Sequence, residues 1–455
     1  MRFLRLLTKP TPVLAMGLGI FSVAGSLFTA VSNGALSPAD AGYLLEMYTL
    51  LTTIGIGVLG GLEQEMTRTI SRDLALGISP LGTLRGQLRQ AGVLGALTIL
   101  LVLACGPFMA GHWLGDRWYL LAELLLGLVG SGISYLIRGV LSGYQKFRVY
   151  SATLVAEGLS RLVPAVVLAL LHVHDAWIYG LLYVSASLFA CLAGLIGLRG
   201  SIRESERTLA PPPTDGSLDG SLDTVRQGAK NMILLTLATL ASQLVLNGVP
   251  LGIPPKLASA ADAHTRQALL SAMGLVRLAL LVVFPLQAPL MPALTRSATQ
   301  GNMRQLRRQT GLLVSLCAAA GLLGTVGASL FGPWLLVHFL QAKTSVSWQL
   351  LAALAFGTTF LMIAYLFQSA LIALRCHRKV LIAWLAGVVA VGVLLLVPIA
   401  PLTAAGLIAV LSPAAVTVVM FVDLIRVTRA RSREAAAAVN PDAPATDLLE
   451  VSTQA

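Results

Sequence analysis

Charge is what this sequence most lacks. Asp, Glu, Lys and Arg make up 11% of its 455 residues, against 56% hydrophobic, and mean hydropathy is +0.81. Soluble domains carry roughly a quarter charged residues, so this chain uses lipid as its solvent. Cysteine is also scarce: Cys105, Cys191, Cys317 and Cys376 lie far apart. That spacing excludes a disulfide framework and a thiolate metal site, and the four read as small apolar packing residues. His172 and His174 alone do not make a metal site. No Gly-x4-Gly-Lys-Ser/Thr loop occurs, so the chain does not hydrolyse ATP itself. Outer loops are short, the longest being 252–266, so no soluble catalytic domain has room there. These absences point away from an enzyme and from bound cofactors.

What is present is a run of twelve apolar stretches, each about long enough to cross a bilayer core of roughly 30 Å. They fall at 11–31, 41–62, 91–110, 118–136, 150–171 and 177–198, then 231–251, 268–292, 311–331, 347–371, 380–399 and 402–424. Arg2, Arg5 and Lys9 precede the first stretch, which lacks a small-residue cleavage site and reads as a retained helix. With both ends in the cytoplasm, 26 of the 32 Lys and Arg fall in cytoplasmic segments and 4 in outer loops. This asymmetry follows the positive-inside rule. It also accounts for the net charge of +12 without nucleic acid. Trp113, Trp118, Trp177, Trp334 and Trp348 mark the outer boundaries, as aromatic belts do. Segments 199–230 and 425–455, polar and low in complexity, read as a disordered linker and a disordered cytoplasmic tail.

The linker divides the chain into lobes 1–198 and 231–424, and short patterns recur between them. Tyr135-Leu136 through Leu141 to Arg148 returns as Tyr365-Leu366 through Leu371 to Arg378. Ser71-Arg72 with Gly77 returns as Thr295-Arg296 with Gly301. Gln87-Leu88-Arg89 returns as Gln305-Leu306-Arg307. The expected fold is therefore all-α: twelve transmembrane helices in two six-helix lobes, related by a pseudo-two-fold axis along the membrane normal. Such a duplication binds substrate between its lobes and works by rocking one against the other. Pro164, Pro285, Pro289 and Pro413 would kink or loosen spans, as transporters often require, or are simply the prolines that membrane helices commonly carry.

Five charged residues fall inside spans: Glu46, Glu123, Glu157, Arg161 and Arg277. A charge at mid-bilayer costs roughly 2.5–3.5 kcal/mol on insertion scales, so each needs a partner or water. Glu157 and Arg161, four apart, stack on one helix face in the favourable order. Arg277 has no carboxylate within helical reach and must face a water-filled cavity or an anion; its planar fork suits phosphate. Gln287, Gln243, Asn247 and Gln368 supply neutral polar groups for hydroxyls or for helix–helix hydrogen bonds.

Three segments carry a resemblance. Leu275-Val276-Arg277-Leu278-Ala279 with Phe284 through Pro292 resembles the eighth helix of bacterial polysaccharide flippases. Arg138 through Gly143 with Phe147-Arg148, Glu157-Gly158 and Arg161-Leu162 resembles their helix 4–5 junction. Leu62-Glu63-Gln64-Glu65 with Arg68 resembles the end of their second helix. These proteins belong to the multidrug/oligosaccharidyl-lipid/polysaccharide exporter superfamily and are related to lipid II flippases. The resemblance implies a flippase that turns a polyprenyl-diphosphate-linked oligosaccharide outward in the cell membrane. Its partners would be that glycan, membrane lipids and polysaccharide biosynthesis enzymes. The site expected is Arg277, Arg161, Glu157, Gln287 and Glu46. Two other classes stay open: a toxic-compound cation antiporter using Glu46 or Glu157, and an integral-membrane glycan polymerase or glycosyltransferase.

Overall fold

The computed structural model describes residues 10–439 apart from 76, 78, 207–221, 258, 283–293, 295–301 and 375. Its first lobe runs α1 (Pro10–Ala35), α2 (Pro38–Ile54), a π-helical turn (Gly55–Leu59), α3 (Gly60–Ala75), α4 (Leu81–Ala104), α5 (Gly106–Trp113), α6 (Trp118–Gly143), α7 (Phe147–Leu170) and α8 (Ala176–Glu206). The second runs α9 (Leu222–Leu246), the short α10 (Gly248–Gly252), α11 (Ala263–Val276) continued by a 3-10 turn (Arg277–Val282), α12 (Met303–Trp334), α13 (Trp348–Ala373), α14 (His377–Leu396) and α15 (Pro401–Val439).

Local chemistry sets the helix starts. Ser37 caps α2, its hydroxyl accepting from the Asp40 amide, and Pro38 occupies the first turn, where its missing N–H is not needed. Ser347 and Asn302 cap α13 and α12 in the same way, accepting from the amides of Leu350 and Gln305. Among the described residues, ten helices are long and apolar enough to cross a membrane. The other two spans are α9, which breaks at Asn247, and α11, which loosens into the 3-10 turn at Arg277. Lipid-facing leucines such as Leu323 and Leu396 stay exposed, at 74% and 85%, as a bilayer permits.

The packing repeats. α1 lies on α7, α7 on α8 and α6 on α8; in the second lobe α9 lies on α14, α14 on α15 and α13 on α15. By span number, contacts 1–5, 5–6 and 4–6 recur as 7–11, 11–12 and 10–12. This is the two-lobed twelve-helix arrangement expected from the sequence. The lobes meet where α2, its π turn and α3 cross α9 and α11. Glycine makes the crossing close: a Cβ at Gly57 would stand 2.8 Å from Leu240.

Several boundaries differ from expectation. α8 runs to Glu206 and α9 starts at Leu222, so only 207–221 of the expected linker lies outside the described residues. α15 carries helix through Val439, well into the expected disordered tail, and 440–455 lie outside the description. Both extensions are polar helix projecting from an apolar span, and lipid-length arguments do not register them. Pro164 and Pro413 sit inside continuous helices; Pro285 and Pro289 are not described.

Candidate functional site

The expected site residues separate into distinct places. Glu157 and Arg161 do come together: Arg161 Nη2 donates to Glu157 Oε1 at 2.8 Å, and its Nε donates to the Glu157 carbonyl at 3.1 Å. A third member joins them. Arg138 on α6 donates Nη2 to Glu157 Oε2 at 2.5 Å and Nε to Thr153 Oγ1 at 3.1 Å. Charge patterning places Arg138 in a cytoplasmic loop. The structure buries it, because Ile137, Val140 and Leu141 keep the helical apolar face going to Gly143. That i, i+3, i+4 continuation is the signal available in the sequence.

Arg138 and Arg161 are 6% and 3% exposed, and they share one carboxylate. The next acidic group, Glu63, accepts from Tyr150 at 2.6 Å. Arg161 also lies over the rings of Phe21 and Tyr183 at 4.7 and 4.6 Å. Tyr183 stacks on Tyr48 at 3.7 Å. Aromatic faces hold a guanidinium without neutralising it. The first lobe thus encloses two guanidiniums over an aromatic floor, both bonded to Glu157 and with Glu63 close enough to act on Arg138.

Glu46 sits elsewhere. Both its oxygens accept from Arg266 on α11, at 2.6 and 2.8 Å, and the two residues are 1% and 4% exposed. Expected as a substrate group, Glu46 is instead engaged on both oxygens, and Arg266, expected in an outer loop, is buried. Glu123 is buried on α6, and its Oε2 has no hydrogen-bond partner among the described residues. It lies against Gly180, where a Cβ would stand 1.9 Å from that oxygen.

Arg277 has a partner, though not a carboxylate: Nη2 donates to the Leu246 carbonyl at 2.7 Å, while Nε has none among the described residues. The reason lies in the chain. Leu246 O would accept from the amide four residues on, and that residue is Pro250, which has no N–H. Asn247 is the break. Its Oδ1 has no partner among the described residues, and its Nδ2 lies on Gln243 Oε1 at 3.4 Å. Gln368 accepts from the Trp384 indole at 2.7 Å and so ties α13 to α14. Gln287 lies outside the described residues.

No protein-family model matches the chain. Two uncharacterized proteins of Mycobacterium tuberculosis, Rv3630 and Rv1510, are 29% and 28% identical to it. Each alignment covers about three quarters of both chains: 75% and 75% for Rv3630, 76% of this chain and 75% of the relative for Rv1510. Among solved structures, the chain is similar to a multidrug resistance MATE family transporter of the MOP superfamily in its inward-facing conformation. That match has a TM-score of 0.67 at 12% identity, over 93% of this chain and 99% of the other. The outward-facing form matches with a TM-score of 0.65 at 13% identity, over 94% and 98%. A MOP superfamily transporter from Pyrococcus furiosus matches at 0.64 and 13%, over 94% and 98%; in that protein "reverse polarity of binding pocket suggests different function". The twelve-helix, two-lobed fold of these transporters is the fold of this chain.

Proposed function

We propose that this chain is an alternating-access transporter that carries a polyprenyl-diphosphate-linked oligosaccharide from the inner to the outer leaflet. It would work in the cell membrane with both termini cytoplasmic, taking lipid-linked glycan from polysaccharide biosynthesis enzymes. The observation that carries this reading is the Arg138–Glu157–Arg161 centre, where two buried guanidiniums share one carboxylate. A diphosphate entering between the lobes meets positive charge already held in place, and the guanidinium forks match its oxygens two at a time. Arg277 adds a cation in the second lobe that forms no ion pair among the described residues. The lipid tail stays in the bilayer, so the protein needs to enclose only the head group. The fold supports transport, and in one relative of this fold a pocket of altered polarity has been read as a sign of a different function.

A second reading rests on Glu123. An unpartnered buried carboxyl in the first lobe suits proton or cation exchange, and structural neighbours of this chain are multidrug transporters. The two readings separate in vesicles. Purified protein is reconstituted with an undecaprenyl-diphosphate oligosaccharide bearing a nitrobenzoxadiazole label on the glycan. Dithionite, which does not cross the bilayer, reports the outward-facing fraction. Protein-dependent quenching beyond the half expected of static vesicles supports the flippase. Quenching that stays at half, with proton-driven ethidium uptake in parallel vesicles, overturns it in favour of the antiporter.

A further inference from the structure

At one end of the bundle the two lobes are joined by side chains rather than by packing alone. Arg266 from α11 reaches across to Glu46 on α2 and holds both carboxylate oxygens. Its guanidinium also lies 3.9 Å over the Tyr43 ring, one turn earlier on α2. Beside this pair, Asn33 at the end of α1 donates Nδ2 to Ser271 Oγ at 2.9 Å and to the Leu340 carbonyl at 2.8 Å. Gln267 Nε2 donates to Asn33 Oδ1 at 3.2 Å. Another cross-lobe bond runs from the Trp113 indole, which donates to the Leu251 carbonyl at 2.7 Å. Asn33, Glu46, Gln267, Ser271 and Arg266 are all at most 4% exposed. The loops at this end carry few Lys or Arg, so positive-inside patterning makes it the outer end.

We infer that the Glu46–Arg266 pair is the latch of an outer gate: the structure is the outward-closed state, and release of substrate to the outside requires this pair to part. The inference rests on the alternating-access reading. The chemistry at the seam argues for a contact that opens. Desolvating two charges offsets most of what their attraction returns, so a buried ion pair holds geometry more than it adds stability. When the lobes separate, water enters and both charges recover their hydration. A leucine seam of the same area would instead be exposed with nothing in return. Tyr43 sits on the same helix as Glu46, so Arg266 has an aromatic face on the first lobe as well as a carboxylate. A two-state contact of this kind is how packed bundles switch.

The test uses the full chain with its four cysteines replaced by serine. Spin labels at positions 112 and 343, exposed residues of the first and second lobes at this end, report the gap between lobes. The parent should give a single short-distance population. Glu46→Gln and Arg266→Met should each move at least a third of the molecules to a longer distance, and the reversed pair Glu46→Arg with Arg266→Glu should restore the short one. Unchanged distributions in both single variants overturn the latch whether or not the protein transports anything. The second arm places cysteines at 46 and 266, bridged by a short bifunctional methanethiosulfonate that reductant removes. Bridging should cut glycan-lipid flipping at least tenfold, and reductant should restore it. Bridged protein that flips at the unbridged rate overturns the latch. Absence of flipping in the parent removes the transport reading instead, and the distance measurement still decides the contact. If the single variants fail to fold, the bridged protein alone decides whether the pair must part.

Discussion

Arg138 and Glu157 stand on successive helices, and their side chains close to 2.5 Å, so Glu157 answers to two guanidiniums and not to Arg161 alone. The consequence is an asymmetry among the three residues. Glu157→Gln strands two buried cations, whereas Arg161→Gln leaves Glu157 still held by Arg138. Breaking a buried pair by removing one partner costs about 3–5 kcal/mol. Glu157→Gln should therefore lose most of its membrane abundance, and Arg161→Gln should lose little. The reversed pair Glu157→Arg with Arg161→Glu should fail to recover, because residue 157 would then carry a positive charge against Arg138. Quantitative immunoblotting of membranes checks all three. Recovery by the reversed pair would show that Arg138 is not part of the unit.

Most of the helical frame is legible in the sequence because a bilayer imposes length: a span either has about twenty apolar residues or it does not. What escapes is the arginines. Spans bounded by their apolar runs stop at 136 and start at 268, which leaves Arg138 and Arg266 in loops, yet both are buried in helices. Arg138 can be recovered from the apolar face around it. Arg266 cannot, since its partner Glu46 lies 220 positions away and only tertiary structure brings them together. The break at Asn247 is also hidden, although Pro250 explains it once the orphaned Leu246 carbonyl is located.

One close approach in the second lobe is glycine against backbone. A Cβ at Gly357 on α13 would stand 1.8 Å from the Ala409 carbonyl oxygen on α15, and backbone cannot step aside as a side chain can. Overpacking commonly costs about 1–3 kcal/mol, and here the whole helix pair must separate. Gly357→Ala should lower the melting temperature in detergent by several degrees or prevent accumulation. Gly392→Ala, with nothing within 4 Å of its Cβ position, should melt with the parent. Equal melting of the two variants would mean that α13 and α15 are not in this contact.

Orientation in the membrane is testable directly. Alkaline phosphatase fused within 207–221 and at the C-terminus should be inactive, and fused after Trp177 it should be active. Green fluorescent protein should give the opposite pattern. An active phosphatase at the C-terminus would reverse the arrangement and place the Glu46–Arg266 end inside.

Arg277 carries two roles that one substitution confounds. It satisfies the Leu246 carbonyl that Pro250 leaves without a donor, and in the proposed mechanism it attracts the diphosphate. Arg277→Ala removes both, so lost export alone would not identify the cause. Leaving a buried carbonyl unsatisfied costs about 1–3 kcal/mol, enough to reduce the folded population. Pro250→Ala supplies the missing backbone N–H, and in the double variant the α9 helix can continue through Asn247 without help from Arg277. We expect Arg277→Ala to lose both stability and glycan export. Pro250→Ala with Arg277→Ala should regain membrane abundance and melting temperature while export stays at least tenfold down. Arg277→Lys should keep most of the stability, since an ammonium still donates to a carbonyl. It should export poorly, because a point charge cannot reproduce the two-point fork. Surface glycan and membrane abundance, measured together for the parent and these three variants, decide between the roles. If export returns in the double variant along with stability, Arg277 serves only the broken helix, and the anion site in the second lobe is refuted.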